Sequence, residues 1–339
     1  EIQKESRMKI LFTSVGRRVE LMQAFRCAAE KLKVDLIIIG TDITEDAPAL
    51  YFCDKTQIVC RIKDKQYIPM LLKFCKEEKV DCLIPTIDTD LLVLAGNKEQ
   101  FEAIGTKVLV SAADKVKLCR DKNYTADYFI SLGLKSPLPF SDVVKYEAAF
   151  EAGKQHFPAF IKPKDGSSSM NAYRVDNLED LKLYAEKIED YIIQPFISGR
   201  EYTIDIFCDY YGNPVYITPR ERLAVRAGEV LKTKITQDDT MIDEILMLIK
   251  DFKPCGQITV QLIRDENTGE DYYIEINPRF GGGAPLSMKA GADSAGAVIK
   301  MLTGGRMEYV EKAARDGEIY SRFDQSICVK KGKARIGNR

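Results

Sequence analysis

One short segment, YIEINPR at residues 273–279, indicates the fold and chemistry of this chain most clearly. Side chains alternate along a β-strand, so Glu275 and Asn277 are predicted to share one face. A carboxylate and an amide oxygen that point together suit Mg²⁺, and Gln261, on the other strand of a predicted hairpin, can add another oxygen. Arg279 follows on the same parity and could hold an anion. The alternative is that these residues are only the polar solvent face of an edge strand.

A second segment, FIKPKDGSSS at residues 160–169, has the pattern of a strand followed by a loop of small residues. Small residues let backbone N–H groups and hydroxyls surround phosphates, and Lys162 supplies a positive charge. The Walker A pattern GxxxxGK[ST] does not occur in the sequence, so the segment is not a P-loop. Taken alone it is a weak indication, because most loops of this composition are only turns.

A third segment, IIQPFISGREY at residues 192–202, combines an apolar strand, a short connector and Glu201. A connector of this kind can offer backbone groups to the edge of an adenine ring, and Glu201 can accept hydrogen bonds from ribose hydroxyls. The alternative is an ordinary loop between strands that carries an exposed glutamate.

The first hundred residues alternate between apolar strands and helices. Helices are predicted at residues 19–31 and 67–78, and strands at residues 9–13, 35–40, 57–60, 82–85 and 107–110. This alternation predicts a parallel sheet covered on both sides. The loops that carry function in such sheets lie at the carboxyl ends of the strands.

Four polar residues gather at that predicted edge: Arg17, Arg18, Asp88 and Asp90. They either contact a substrate or are solvated caps. The first turn has one glycine, Gly16, where the dinucleotide-binding pattern GxGxxG needs three, so that class of site is not predicted.

The pattern changes after residue 111, where a helix is predicted at residues 111–132. An antiparallel α+β unit follows, with strands predicted at residues 159–162, 172–175, 191–194, 201–209, 214–219, 256–264 and 271–276. Turn residues at 209–213 and 265–270 predict hairpins between the flanking strands.

Composition narrows the classes of function. The 339 residues suggest two or three domains, and 50 Lys and Arg against 51 Asp and Glu give no basic excess, so no nucleic-acid partner is expected. The one histidine, His156, excludes a zinc site with several histidines. Catalysis is therefore expected to depend on carboxylates, lysine, arginine, backbone amides and hard metals.

Cysteine usage and hydropathy predict a cytoplasmic protein. The nine cysteines are an odd number without a CxxC pair, which is typical of free buried thiols in a reducing compartment. No run of about 18 apolar residues occurs, so no membrane span is expected. The charged start at residues 1–7 lacks an apolar stretch of signal-peptide length.

Together and in this order, the three segments resemble the ATP-grasp superfamily, in particular the biotin-carboxylase and carbamoyl-phosphate-synthetase large-chain type. Lys122 at a predicted helix start and PLSMKAG at residues 285–291 are similar to features of the same type. The resemblance implies an α/β N-terminal parallel-sheet domain (pre-ATP-grasp, Rossmann-like) and an α+β ATP-grasp domain. The implied bounds are 8–111 for the first domain, 112–310 for the second (small lobe about 112–195, large lobe about 196–310), and 311–339 for a C-terminal extension.

The resemblance also implies site roles. The residues that would contact ATP phosphates are Lys122 and Lys162, under a loop that contains Gly166, Ser167, Ser168 and Ser169. The residues that would border the adenine are Gln194, Pro195, Phe196 and Ile197, with Glu201 on the ribose. The residues that would hold one or two Mg²⁺ (or Mn²⁺) ions are Gln261, Glu275 and Asn277. Arg279 would lie beside the γ-phosphate and the acyl phosphate.

Two departures from the family pattern stand out. The predicted phosphate loop has one glycine and three serines, which is more similar to the loop of D-alanine–D-alanine ligases than to a multi-glycine loop. Gln261 stands where many relatives have glutamate, which removes a charge from the predicted metal site.

An arginine-rich segment, PRERLAVRAGEV at residues 219–230, follows a predicted strand near the expected active site. Arg220 and Arg226 are candidates for binding the substrate carboxylate or the γ-phosphate. A solvated basic ribbon is the alternative interpretation.

The resemblance implies an ATP-dependent ligase that joins a carboxylate to an amine or similar nucleophile through an acyl phosphate, releasing ADP and phosphate. The expected partners are ATP and small-molecule carboxylate and amine substrates such as amino acids, with a homodimer as one possible assembly and no membrane partner. Two alternatives stay open: a carbamoyl-phosphate-synthetase-like half enzyme that uses bicarbonate, and a catalytically silent ATP-binding sensor.

Overall fold

A computed structural model describes residues 7–164 and 172–329. The N-terminal part alternates strands and helices, as the sequence predicts. In chain order its elements are β1 (Met8–Thr13), α1 (Val19–Leu32), β2 (Leu36–Asp42), β3 (Lys55–Ile58), α2 (Tyr67–Glu78), β4 (Cys82–Pro85), α3 (Asp88–Ala95), α4 (Lys98–Ala103) and β5 (Lys107–Val108).

The five strands form a parallel sheet in the order β3-β2-β1-β4-β5. Alternate residues of β1 enter two different cores: Phe12 packs with Phe25 of α1, and Leu11 packs with Leu71 of α2. Because both faces are buried, the strands are continuous apolar runs. The predicted parallel sheet is confirmed.

The predicted helix at residues 111–132 is two helices, α5 (Ala113–Arg120) and α6 (Lys122–Ser131). The chain is extended at Asp121, whose carboxylate accepts hydrogen bonds from the backbone N–H groups of Asn123 and Tyr124. A side-chain cap of this kind satisfies amides that have no partner inside the helix, so Asp121 begins a new helix.

A three-stranded antiparallel sheet with two helices forms the small lobe. Its elements are α7 (Val143–Glu151), β6 (Ala159–Pro163), β7 (Tyr173–Val175), α8 (Leu178–Ala185) and β8 (Tyr191–Pro195). The strand order is β7-β6-β8, and Tyr146, Ile161 and Ile193 are buried between the sheet and the helices.

A six-stranded antiparallel sheet forms the large lobe in the order β13-β12-β9-β10-β11-β14. Its elements are β9 (Gly199–Cys208), β10 (Pro214–Arg226), β11 (Glu229–Ile235), α9 (Asp239–Phe252), β12 (Gly256–Asp265), β13 (Asp271–Asn277), α10 (Ala284–Ala290), α11 (Ser294–Leu302) and β14 (Ile319–Ser321). Both predicted hairpins are present, because β9 pairs with β10 and β12 pairs with β13.

The predicted strand at residues 214–219 is longer in the structure, since β10 continues to Arg226 and turns back as β11. The segment at residues 219–230 is therefore mostly strand.

The predicted bounds of domains and lobes stay predictions. Phe129 of α6, in the predicted small lobe, shares the core of the large sheet. Strand β14, in the predicted C-terminal extension, pairs with β11 of the same sheet.

The large sheet has one apolar and one polar face. Ile204, Ile258 and Val260 face the core, where α9 contributes Ile245 and Ile249. The side chains between them in sequence point to the opposite face of the sheet, which is polar. Sequence analysis passed over α9, although its apolar residues recur every three or four positions.

The N-terminal domain packs directly on the large lobe. Phe25 of α1 contacts Phe280, just after β13, in an edge-to-face pair with ring centroids 5.9 Å apart. The two domains therefore share a core, which holds the carboxyl edge of the parallel sheet close to the end of β13. No helix in residues 7–164 and 172–329 combines the length and apolar character needed to cross a membrane.

Candidate active site

A row of polar residues crosses the large sheet on its polar face. Backbone register places Arg220 opposite Thr203, Thr203 opposite Gln261, and Gln261 opposite Glu275. Directly paired residues of antiparallel strands point to the same side. The row therefore brings four residues from β10, β9, β12 and β13 together, although they are up to 72 positions apart in the chain.

Glu275, Asn277 and Arg279 form a hydrogen-bonded chain at the end of β13. Asn277 Nδ2 donates to Glu275 Oε1 at 2.9 Å, and Arg279 Nη2 donates to Asn277 Oδ1 at 3.4 Å. Their side chains share a face, as the spacing in the sequence predicts. One carboxylate and one amide oxygen fit the hard-oxygen chemistry of Mg²⁺, which binds proteins through few side chains and completes its shell with phosphates and water.

Arg279 also links the two domains. Its Nη2 lies 2.9 Å from Asp88 Oδ2, at the carboxyl edge of the parallel sheet. The Arg279 side chain is only 14% exposed, and its Nε has no hydrogen-bond partner among the described atoms. A buried guanidinium with a free donor is a candidate for binding an anion.

Gln261 is bound to an arginine that sequence analysis did not choose. Arg222 Nη1 donates to Gln261 Oε1 at 2.8 Å, and Arg222 Nε lies 3.6 Å from Glu201 Oε2. Arg222 thus joins the predicted metal ligand Gln261 to the predicted ribose ligand Glu201. Its position two residues after Arg220 on one strand was the available signal, since residues i and i+2 share a face.

Arg220 is buried and already bound to a carboxylate, unlike a side chain that is free to bind a substrate. Its Nε donates to Asp205 Oδ2 at 2.8 Å, and both side chains are at most 3% exposed. Ser287 Oγ donates to the same carboxylate oxygen at 2.6 Å. Arg220 Nη1 has no partner in the described part of the chain, so this nitrogen is still able to bind an anion.

Arg226 lies near the outer end of β10 and is paired elsewhere. Its Nη2 lies 3.0 Å from Asp324 Oδ2, and the two side chains are 61% and 71% exposed. An exposed pair of this kind is easily broken, so the contact does not exclude a role for Arg226.

The small lobe contributes two lysines. Lys162 is on β6, and burial together with the nearby charge of Lys122 lowers the pKa of its ammonium group to about 8, against the opposing effect of Glu275. Lys122 begins α6, and its Nζ donates to the backbone oxygen of Lys164 at 3.2 Å. This bond places the start of α6 beside the residue that follows β6.

The predicted adenine segment runs from β8 to β9. The Gln194 side chain is buried and donates to the backbone oxygen of Pro137 at 3.0 Å, which stabilises the small lobe. Pro195 ends β8, and Phe196 stacks on Phe160 with ring centroids 5.5 Å apart. Ile197 is half-buried in the connector.

The predicted phosphate-loop residues Gly166, Ser167, Ser168 and Ser169 lie outside the described residues. The described strands on either side end at Pro163 and begin at Tyr173.

Three glycines after Arg279 were not singled out by sequence analysis. A Cβ at Gly282 would lie 2.7 Å from Glu229 Oε2 and 3.1 Å from Arg18 Nη1, and a Cβ at Gly283 would lie 2.5 Å from Arg220 Nη2. These glycines let the backbone pass closely between arginines from both domains. The triple glycine in FGGGAP was the signal for such an approach.

All nine cysteines are free thiols, as predicted, but the predicted burial is wrong for Cys27 and Cys328, which are exposed. Cys75, Cys82, Cys208 and Cys255 are buried, and burial raises the pKa of each of these thiols. Buried cysteines with raised pKa values are poor nucleophiles, so none of these four is a candidate catalytic residue.

Two family descriptions match this chain. Residues 10–109 match "PylC-like, N-terminal domain", and residues 187–321 match "ATP-grasp in the biosynthetic pathway with Ter operon". A carbamoyl-phosphate synthase of Methanobrevibacter smithii is 29% identical over 216 residues, which cover 62% of this chain and 55% of that protein. The arginine-specific large chain of Arabidopsis thaliana carbamoyl phosphate synthase is 23% identical over 63% of this chain and 20% of its own. The chain therefore spans about half of the first relative and a fifth of the second.

Solved structures share the fold at low identity. N5-carboxyaminoimidazole synthetase from Staphylococcus aureus has a TM-score of 0.70 and 16% identity, over 90% of this chain and 80% of its own. A Hydrogenobacter thermophilus biotin carboxylase domain, solved with MgADP and bicarbonate, has a TM-score of 0.71 and 17% identity over 93% and 74%. An L-amino acid ligase from Bacillus licheniformis has a TM-score of 0.65 and 17% identity over 88% and 75%. These likenesses show the fold: a parallel-sheet domain followed by a domain built on antiparallel sheets.

Proposed function

The chain belongs to the ATP-grasp superfamily, and we propose that it is an ATP-dependent ligase that joins a carboxylate to an amine through an acyl phosphate. The products would be ADP, phosphate and an amide. Small molecules such as amino acids are the proposed substrates.

The observation that carries this proposal is the hydrogen-bonded chain of Glu275, Asn277 and Arg279 at the end of β13. Asn277 Nδ2 donates to Glu275 Oε1 at 2.9 Å, and Arg279 Nη2 donates to Asn277 Oδ1 at 3.4 Å. Lys122 and Lys162 add cations from α6 and β6. Cations on one side and hard oxygen ligands on the other are what a metal-bound triphosphate requires.

Each of these residues has a distinct role in the proposed reaction. Lys122, Lys162 and Arg279 would offset the negative charge of the ATP phosphates and of the attacking carboxylate. Glu275 and Asn277 would hold Mg²⁺ or Mn²⁺, with Gln261 as a further oxygen if Arg222 releases it. When bound, the metal ion offsets charge on the transferring phosphate.

Adenosine recognition is proposed for the connector and β9. Gln194, Pro195, Phe196 and Ile197 would border the adenine, and Glu201 would accept hydrogen bonds from the ribose. The buried side chain of Gln194 leaves backbone groups of this segment as its contribution. Gly166, Ser167, Ser168 and Ser169 stay predicted contacts of the β- and γ-phosphates.

The proposed chemistry needs no nucleophile from the protein. A carboxylate oxygen attacks the γ-phosphorus, the bond to the β-phosphate oxygen breaks, and ADP leaves. The amine then attacks the carbonyl carbon, the C–O bond to phosphate breaks, and the amine loses a proton to solvent. Arg279, and Arg220 or Arg226 if they turn toward the cleft, would stabilise the developing charge.

Bicarbonate as the carboxylate is a second candidate, because the two curated relatives reported above are named as carbamoyl phosphate synthases. A silent ATP-binding sensor is the third. The presence of a complete set of residues for phosphoryl transfer argues against the sensor, since ATP binding alone does not need all of them. The set comprises Lys162, Glu275, Asn277 and Arg279.

Release of ADP, measured by a coupled pyruvate kinase and lactate dehydrogenase assay, separates these candidates. The ligase predicts turnover that depends on both an amino acid and a second carboxylate or amine. Turnover with bicarbonate alone would favour the second candidate, and ATP binding without turnover would favour the third. Glu275→Gln should abolish turnover, and unchanged turnover in this variant would contradict the proposed metal site.

A further inference from the structure

The parallel sheet has a switch point that the proposed role of the ATP cleft does not use. Strand order reverses between β1 and β4, so the helices that follow these two strands lie on opposite faces of the sheet. In open α/β sheets, ligands bind outside the carboxyl ends of the strands at this place. Here it comprises residues 13–18 at the end of β1 and residues 85–90 at the end of β4, called the switch-point edge below.

Buried hydrogen bonds hold the switch-point edge in one conformation. Asp90 is fully buried, and its Oδ2 accepts from Thr13 Oγ1 at 2.6 Å and from Ser14 Oγ at 2.7 Å. Thr86 Oγ1 donates to the backbone oxygen of Ser14 at 2.8 Å. Ser14 has a φ of 52°, a left-handed conformation that costs a residue other than glycine energy. These hydrogen bonds fix the backbone of Ser14 and so the direction of the residues that follow it.

Arg18 is the residue that this edge directs toward the large lobe. Its Nη2 donates to the backbone oxygen of Thr86 at 3.2 Å, and its Nη1 is close to Gly282. Within the described residues it forms no ion pair. The carboxylates that act on it, Asp88 and Glu229, are paired with Arg279 and Arg322 at 2.9 Å and 3.0 Å.

Arg18 is therefore a half-buried cation without a carboxylate of its own. Burial, followed by the charge of Arg279, lowers the pKa of its guanidinium, which means that the surroundings leave its charge under-compensated. Guanidinium groups bind carboxylates through two parallel hydrogen bonds. A ligand carboxylate fits this position.

Asp88 supplies the complementary charge beside it. Its Oδ2 is bound to Arg279 at 2.9 Å, yet 47% of the side chain is exposed, so the carboxylate can still accept a hydrogen bond. An amino group against Asp88 would lie next to Arg279, where the acyl phosphate is proposed. Arg18 Nη2 is bound to the backbone oxygen of Thr86, two residues before Asp88, so the two charged groups belong to the same edge.

We propose that the switch-point edge binds the amine substrate and that this substrate is an amino acid. Arg18 binds its carboxylate, and Asp88 orients its amino group toward the carbonyl carbon of the acyl phosphate beside Arg279. This inference rests on the proposed ligase function. It makes Arg18 a specificity-determining residue, because a compound with the amine but without the carboxylate loses the contact.

Binding to the intact chain tests the proposal. The protein saturated with Mg²⁺ and a non-hydrolysable ATP analogue is titrated by calorimetry with each of the twenty L-amino acids, their D-enantiomers and the corresponding amides. At least one amino acid should bind, and its amide about 10- to 100-fold more weakly, which is the loss expected for a hydrogen bond to a charged group. Absence of binding by every amino acid, or equal binding of acid and amide, would overturn the proposal.

Two variants identify the residues. Arg18→Gln should weaken amino-acid binding by the same 10- to 100-fold and remove the preference for acid over amide. Arg26→Gln is the matched control on α1, because Arg26 pairs with Asp54 on the surface at 3.0 Å. Unchanged melting temperature and nucleotide binding in Arg18→Gln would show that the fold is intact. Amino-acid binding at the wild-type level in Arg18→Gln would contradict the inference.

The inference and the proposed function can fail separately. If amino-acid-dependent ADP release occurs and Arg18→Gln leaves its KM unchanged, only the assignment of the switch-point edge is wrong. If the wild-type chain forms no ADP with any carboxylate and amine, the ligase itself is wrong. Asp88→Asn should lower kcat more than it raises the KM for the amino acid, since the neutral asparagine side chain orients the substrate amine less well than the carboxylate does.

Discussion

Arg279 Nη2 lies 2.9 Å from Asp88 Oδ2, a contact that joins the end of β13 to the carboxyl edge of the parallel sheet, 191 residues away. Arg279 also reaches Asn277 Oδ1 at 3.4 Å. One guanidinium therefore contacts both the predicted metal site and the predicted amine site. This relationship makes the domain interface part of the proposed active site.

Removal of the Arg279 charge should slow the chemical step. Arg279→Gln is expected to lower kcat about 10²- to 10³-fold, as loss of a donor to developing negative charge does in other enzymes. The KM for ATP should change less, because the lysines of the small lobe remain. Steady-state ADP release measures both constants, with Arg315→Gln as a control on a surface pair with Glu318. A KM effect without a kcat effect would place Arg279 in ground-state binding.

ATP binding should weaken above about pH 8. Lys162 has its pKa lowered to about 8, so its ammonium loses its proton, and with it the charge that attracts phosphate, as pH rises through that value. Affinity should fall by up to about tenfold for each pH unit above it. Lys162→Arg keeps its charge and should remove this dependence. Equal pH profiles in the two proteins, measured by nucleotide titration, would contradict the assignment.

Gln261 offers a test of the metal site. Gln261→Glu places a second carboxylate opposite Glu275, which should tighten Mn²⁺ binding in the presence of ADP. The competing bond from Arg222 Nη1, at 2.8 Å in the wild type, would become a salt bridge and limit the gain. Free Mn²⁺ measured by electron paramagnetic resonance gives the affinity. Weaker Mn²⁺ binding in Gln261→Glu would show that Gln261 serves Arg222 rather than the metal.

The Arg220–Asp205 pair should matter for stability. Asp205→Ala leaves a guanidinium that is 3% exposed without its carboxylate, which typically costs about 3–5 kcal/mol. Urea unfolding should show this loss in the midpoint. Asp324→Ala breaks the exposed pair with Arg226 and should leave the midpoint unchanged. Similar midpoints for the two variants would mean that the buried pair is not the stabilising interaction.

Much of the fold could be predicted because both domains follow simple periodicities. Strands such as β1 are continuous apolar runs, since both faces are buried, and the hairpins carry turn residues. The interruption at Asp121 was missed because the surrounding residues all favour a helix, and only the two amide bonds to its carboxylate show where α6 begins.

The candidate site could be predicted only in part. Spacing within one strand predicted that Glu275 and Asn277 lie together. The contacts among the other site residues depend on the pairing between strands. Arg220 meets Asp205, and Arg222 meets Gln261, because of the register among β9, β10 and β12, which a sequence pattern does not specify. The Arg18–Gly282 approach depends on how two domains pack, which is further still from local sequence.

Transfer of ¹⁸O from the carboxylate substrate to phosphate tests the central claim most directly. The carboxylic acid that supports ADP release is labelled with ¹⁸O in its carboxylate, and the released phosphate is analysed by ³¹P nuclear magnetic resonance. An acyl phosphate predicts one ¹⁸O in each phosphate, because the C–O bond breaks when the amine attacks. Phosphate that carries only solvent oxygen would contradict the account.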